Sequence, residues 1–188
     1  MAALNRGLEL LESAIGYALT SLADVRPARL DGPTPCREWT LESLLVHLGD
    51  SILALRQAVA DGRVDPVSRA GNHRNPTAGV RAEAIALLET CAAVRTDESV
   101  VRVGDRKLPG SLAAVTGALE ISVHGWDIGV ASGLRRPIPP LLAGVLLALA
   151  PVLLPPQIRP GLFDEPVVLP AEAGVSDRLV AFLGRHPQ

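Results

Sequence analysis

The stretch Ala118–Gly133, ALEISVHGWDIGVASG, has the apolar and small residues of a helix interior, yet it carries Glu120, His124 and Asp127 at spacings of four and three. On a helical wheel Thr116, His124, Asp127 and Ala131 all fall within about 40° of Glu120, in one row. Leu112, Val115, Leu119, Val123, Trp126 and Val130 form the adjacent apolar face, so the row is expected to border a core. An unpaired buried charge costs on the order of several kcal/mol, comparable to the whole stability margin of a domain. Three ionisable groups there must be neutralised, paired or bound to a cation.

The rest of the chain reads as helices around this one, which is expected to run from about Gly110 to Ser132. Leu4, Leu8, Leu11, Ile15, Ala18 and Leu22 step by fours and threes along a first helix. After the Pro- and Gly-rich segment RPARLDGPTPCREW (26–39), Thr40 is placed to cap a second helix reaching Asp61, with Glu42 favoured in its first turn. His47 lies on the flank of that helix, among Thr40, Ser43, Ser51, Ala54 and Ala58. Residues 62–76 read as a polar loop, and a third helix from about Thr77 to Val94 turns Val80, Ala84, Leu87, Leu88 and Cys91 inward. A short hairpin is expected around Gly104-Asp105. The apolar run Leu141–Leu154, bracketed by prolines, is too short for a membrane span and reads as a buried helix. Ser176 and Gly184 read as the start and stop of a last one. The sum is an all-α chain: a four-helix bundle over about 1–135, with additional C-terminal helices and a tail over 136–188, in a single domain.

Composition excludes several function classes. The net charge is −2 and the basic residues are scattered, so no phosphate-binding face for nucleic acid can be drawn. Arg6, Glu9 and Glu12 in the first helix are foreign to a signal-peptide core. Two cysteines without a CxxC pattern point to free thiols and a cytoplasmic, reducing setting without a membrane partner. No nucleophile-elbow, Walker or dinucleotide-binding pattern occurs.

Glu-x-x-x-His sets a carboxylate and an imidazole one turn apart on one face, as an ordinary ion pair or as two ligands for one ion. His47 is the leading candidate for a third ligand from a facing helix, and it also reads as a core-edge histidine. Two histidines and a carboxylate leave a coordination position open, as in catalytic zinc or non-haem iron sites. Asp127 reads as an outer partner that orients a ligand histidine, or as the partner of a nearby arginine. Cys36 reads first as a buried small residue and second as a neighbour of the site. Trp126 reads as core, and His73 and His186 as surface.

The segments PTPCREWTLESLLVHLGD (33–50) and LEISVHGWDIGVASG (119–133) closely resemble the metal-binding DinB-like proteins of the mycothiol-dependent maleylpyruvate isomerase family. DRLVAFLGRHP (177–187) looks like the tail of a short, single-domain branch. The resemblance implies an antiparallel four-helix bundle with a divalent metal at one end, zinc foremost and iron, nickel or manganese compatible. It puts the ligands on His47, Glu120 and His124, with Asp127 supporting the site. Fuller members carry a further C-terminal domain that helps grip the thiol, and its lack here leaves the thiol open, with mycothiol the first candidate.

The implied activity is that of a metal-dependent transferase or isomerase, in which a low-molecular-weight thiol attacks a small electrophilic substrate. A metal-dependent hydrolase and a non-catalytic, metal-stabilised bundle are the alternatives, and a monomer and a homodimer are both compatible.

Overall fold

A computed structural model describes residues 2–36, 38–64, 75–93 and 100–187. Helix α1 (Ala2–Leu22) buries Leu8, Leu11, Ile15, Ala18 and Leu22, the seam that the spacing predicts. Helix α2 (Leu41–Asp61) starts where Thr40 caps it: Thr40 is extended, and its hydroxyl accepts the Ser43 backbone N–H at 3.2 Å. Helix α3 (Pro76–Ala93) buries Val80, Ala84, Leu87 and Cys91. Val94 and His73 lie outside the described residues.

The hairpin forms as β2 (Val100–Val103) and β3 (Arg106–Pro109), joined by Gly104-Asp105. Gly104 has a φ of 57° and Asp105 a negative one, the pattern of a two-residue turn that needs glycine first. Strand β1 (Arg63–Val64) pairs in parallel with β2, where the sequence reads as loop. Two residues are too few for a periodic signal; the strand is selected by its partner, with Arg102 N–H donating to the Gly62 carbonyl at 2.8 Å.

Helix α4 (Gly110–Ala131) packs along α1 and against α2, while α2 packs along α3. From Ile121 to Gly129 every residue of α4 is buried. The polar row runs from the surface into the core: Thr116 is exposed and Glu120 partly so, while His124 and Asp127 are buried, and of the expected apolar face Leu112, in the first turn, is exposed. A helix apolar all round is the central element of its bundle. Close approach of α1 requires Gly125, where an added Cβ would lie 3.1 Å from the Ala18 Cα and the Tyr17 ring.

Helix α5 (Pro140–Leu153) departs from the buried helix expected: Leu142, Ala143, Leu146 and Ala150 are buried, but Leu141 and Val152 stand in solvent. It meets α6, α4 and α1 through that one face. Helix α6 (Val175–Phe182) has Gly174, not Ser176, at its cap position. The Ser176 hydroxyl instead accepts the Ile138 backbone N–H at 2.9 Å, tying α6 to the segment before α5. Gly184 follows the helix end with a φ of 81°, as expected of a stop. No helix among the described residues is long and apolar enough to cross a membrane.

Candidate metal centre

Helices α2 and α4 bring His47, Glu120 and His124 together. Glu120 Oε1 lies 2.8 Å from His47 Nε2 and 3.3 Å from His124 Nε2, and the three donor atoms lie within 4.8 Å of one another. Two ligands each about 2.1 Å from a tetrahedral ion sit roughly 3.4 Å apart, so this nitrogen and oxygen set fits a divalent cation such as zinc. Ser51, one turn after His47, donates to the same Glu120 oxygen at 3.2 Å. The set opens on one side: the His47 side chain is 39% exposed against 7% for His124.

Behind His124 lies a support that is almost fully enclosed. Its Nδ1–H donates to Asp127 Oδ2 at 3.0 Å, and Asp127 is completely buried. Arg185, just past α6, donates through Nη2 to the same oxygen at 2.9 Å and through Nε to Oδ1 at 3.3 Å. Cys36 completes the layer: its thiol donates to Asp127 Oδ2 at 3.3 Å, and Arg185 Nη2 approaches its sulfur at 3.2 Å. Asp127 is thus both the partner of a site histidine and the partner of an arginine. With Nδ1–H committed to Asp127, His124 turns Nε2 toward Glu120 and the open side.

Cys36 Sγ, His124 Nδ1 and Asp127 Oδ2 are also mutually within 4.8 Å. That set does not suit a metal, because the Arg185 guanidinium already fills the position with positive charge.

The electrostatics favour a cation at the first set. Burial alone would raise the Glu120 carboxyl, but hydrogen bonds from His124 and His47 outweigh it and hold the group below the usual carboxylate range. Burial would likewise raise Asp127, and the His124 hydrogen bond with the Arg185 charge lowers it. Burial opposes a charged His124, yet its bonds to Asp127, Cys36 and Glu120 raise it well above an ordinary histidine. With both imidazoles neutral, two carboxylates face one guanidinium, and the excess negative charge is met by protonating an imidazole or by binding a cation.

Trp39 closes the wall. Its ring centroid is 4.5 Å from that of His47 and 6.1 Å from that of His124. The segment carrying Trp39 and Cys36 is held by a bridge between Pro33 and Thr40 and by the Thr34 hydroxyl, 3.0 Å from the carbonyl oxygens of both residues.

Cys36 is half-buried beside the site, not the core residue that was its first reading. Arg185 had no expected role, and its only signal was its place in the LGRHP tail. His186 is exposed and Trp126 buried, as expected. Both cysteines are free, and burial pushes the Cys91 thiol up to about 11. In native protein at pH 8, alkylation followed by mass spectrometry is therefore expected to leave Cys91 unmodified while Cys36 reacts; equal labelling of both would contradict this packing.

Residues 11–129 match the mycothiol maleylpyruvate isomerase N-terminal domain. The chain belongs to this family. Two relatives, the uncharacterized proteins MT0763 and Rv0738 of Mycobacterium tuberculosis (strains CDC 1551 / Oshkosh and ATCC 25618 / H37Rv), are each 31% identical over 87% of this chain and 89% of their own. A crystal structure of a mutant mycothiol-dependent maleylpyruvate isomerase superposes with a TM-score of 0.60 at 17% identity, over 78% of this chain and 68% of that one. That likeness shows that the mycothiol maleylpyruvate isomerase family member described here shares the isomerase's fold. His47, Glu120, His124 and Asp127 all fall inside the matched segment, whereas Arg185 lies beyond it.

Proposed function

We propose that this chain binds one divalent cation, zinc foremost, through His47, Glu120 and His124, and uses it to activate a low-molecular-weight thiol, mycothiol foremost, for attack on a small electrophile. The observation that carries the reading is the convergence of three donor atoms within 4.8 Å in the segment that matches the family. The cation, when bound, supplies positive charge that favours the thiolate over the thiol.

The chain's own residues supply the rest. Asp127 holds the Nδ1 proton of His124 and so presents Nε2 to the site, and Arg185 holds Asp127 in its charged form. Ser51 fixes one Glu120 oxygen. Trp39 and the surrounding apolar residues keep water from the inner side, leaving the half-exposed His47 edge for thiol and substrate to enter. The bundle and the C-terminal segment act as one unit, because the site built by the first needs Arg185 from the second. Two free thiols suit a reducing cytoplasm.

Calorimetric titration of zinc-loaded protein with mycothiol is expected to show binding that disappears when the metal is removed and returns on reloading. A metal-loaded protein that binds no low-molecular-weight thiol would leave only a structural role for the ion.

A further inference from the structure

A cavity of about 230 Å³ lies where the end of α4, the segment 133–137, the start of α6 and the C-terminal tail meet. It shares no lining residue with the metal centre, and bonds of its own hold it in shape. On one side the Leu134 N–H donates to the Gly129 carbonyl at 2.9 Å, and the Tyr17 hydroxyl donates to the Arg136 carbonyl at 2.7 Å. The Ser176 hydroxyl, which accepts from Ile138, ties the start of α6 to the same segment. Arg185 pins the tail to Asp127 just before His186 and Pro187 join the lining. Sites for small molecules are pre-formed in this way, mostly apolar and with a few polar groups that orient the occupant.

The lining says what the cavity takes. Trp126, Val130 and Leu134 are apolar, Arg135, Arg136 and His186 bring N–H donors, and Asp177 is the one carboxylate. Two guanidinium groups against that carboxylate leave the lining with an excess of positive charge. Arg136 Nη2 also meets Asp24 at 3.0 Å, but both side chains are more than a third exposed. Water competes with such a pair, and a guanidinium has further N–H groups to offer a second anion. A bare phosphate ion would gain nothing from the apolar residues, and an uncharged hydrocarbon nothing from the arginines. An amphiphilic monoanion uses both. The volume falls below the roughly 300 Å³ at which drug-sized ligands begin, so the occupant is small.

We infer that this cavity is an accessory binding site for a small organic monocarboxylate, held with its apolar body against Trp126 and its carboxylate toward Arg135 and Arg136. The inference is independent of the metal reading, because the cavity is complete without any of the three ligand residues.

Benzoate and hexanoate serve as probes, followed in N–H correlation spectra of the full chain, with Trp39→Phe identifying which indole signal belongs to Trp126. Each probe is expected to shift the Trp126 indole and the Gly133 and Leu134 amides, saturating with a dissociation constant of roughly 1 mM. Benzamide, which keeps the ring and lacks the charge, should bind roughly fivefold more weakly or worse, and so should benzoate to Arg135→Gln/Arg136→Gln. Far-UV circular dichroism checks that this variant is folded. Metal-loaded and metal-stripped protein should bind benzoate alike, since a carboxylate that needed the ion would be sitting on the metal centre instead. The inference is overturned if neither probe shifts the Trp126 signal, or if the shift survives unchanged in the double variant. It is equally overturned if benzamide matches benzoate, if inorganic phosphate displaces benzoate at equal concentration, or if binding vanishes with the metal.

Discussion

Glu120→Ala and His124→Ala are each expected to yield protein without bound metal after chelator-free purification, where the wild type is expected to retain it. Both side chains are donors in the set that spans 4.8 Å, and Glu120 is the only carboxylate in it. Losing either leaves two ligands, too few to hold an ion against water. Asp127→Asn is expected to do less, because it removes an outer partner and not a donor. Loss of such a partner costs about 10–100-fold in metal affinity. Elemental analysis and competition titration therefore predict an order, with Glu120→Ala and His124→Ala below Asp127→Asn, and Asp127→Asn below wild type. Full metal retention by Glu120→Ala would place the ion elsewhere and dismantle the proposed site.

Arg185→Met is the second large effect, and it acts on stability. Asp127 is completely buried and accepts from two guanidinium nitrogens. Removing the guanidinium leaves that buried carboxylate with His124 and Cys36 as its remaining partners, and loss of one partner from a buried ion pair costs about 3–5 kcal/mol against a total margin of about 5–15. For a chain of this size the melting temperature should fall by roughly 10 °C. The cost comes from the lost charge partner and not from lost packing, since methionine keeps much of the arginine stem. Arg185→Met combined with Asp127→Asn should accordingly recover most of the loss in a thermal melt. If the double variant is as unstable as the sum of the singles, the charge account is wrong.

How much of this was legible in the sequence depends on the range of the interaction involved. Helices α1, α2 and α4 follow from local periodicity, the Thr40 cap and turn residues, because each is decided within a few turns of chain. The ligand candidates on α4 were legible for the same reason: residues spaced by three and four share a face whatever the fold. His47 required a second helix to face the first, and only the motif order around it pointed there. Arg185 was out of reach, since its bond to Asp127 spans 58 positions and nothing local marks an arginine as the one that is buried. Ser176 misled for a related reason. Its hydroxyl does accept a backbone N–H, but that of Ile138, 38 residues away, in place of its own helix. The burial of α5 was overestimated because composition counts apolar residues without saying which side of the helix meets a partner.

The tryptophan wall has a practical consequence. Trp39 is one of only two tryptophans, and its indole lies against both histidine rings of the centre, while Trp126 is buried elsewhere in α4. Protonated imidazole draws electron density from a neighbouring excited indole, and imidazole that holds a metal ion presents a different charge to it. The emission of Trp39 thus varies with whatever the two rings hold, and a Trp126→Phe protein becomes an optical gauge of its own occupancy, with no dye or label attached.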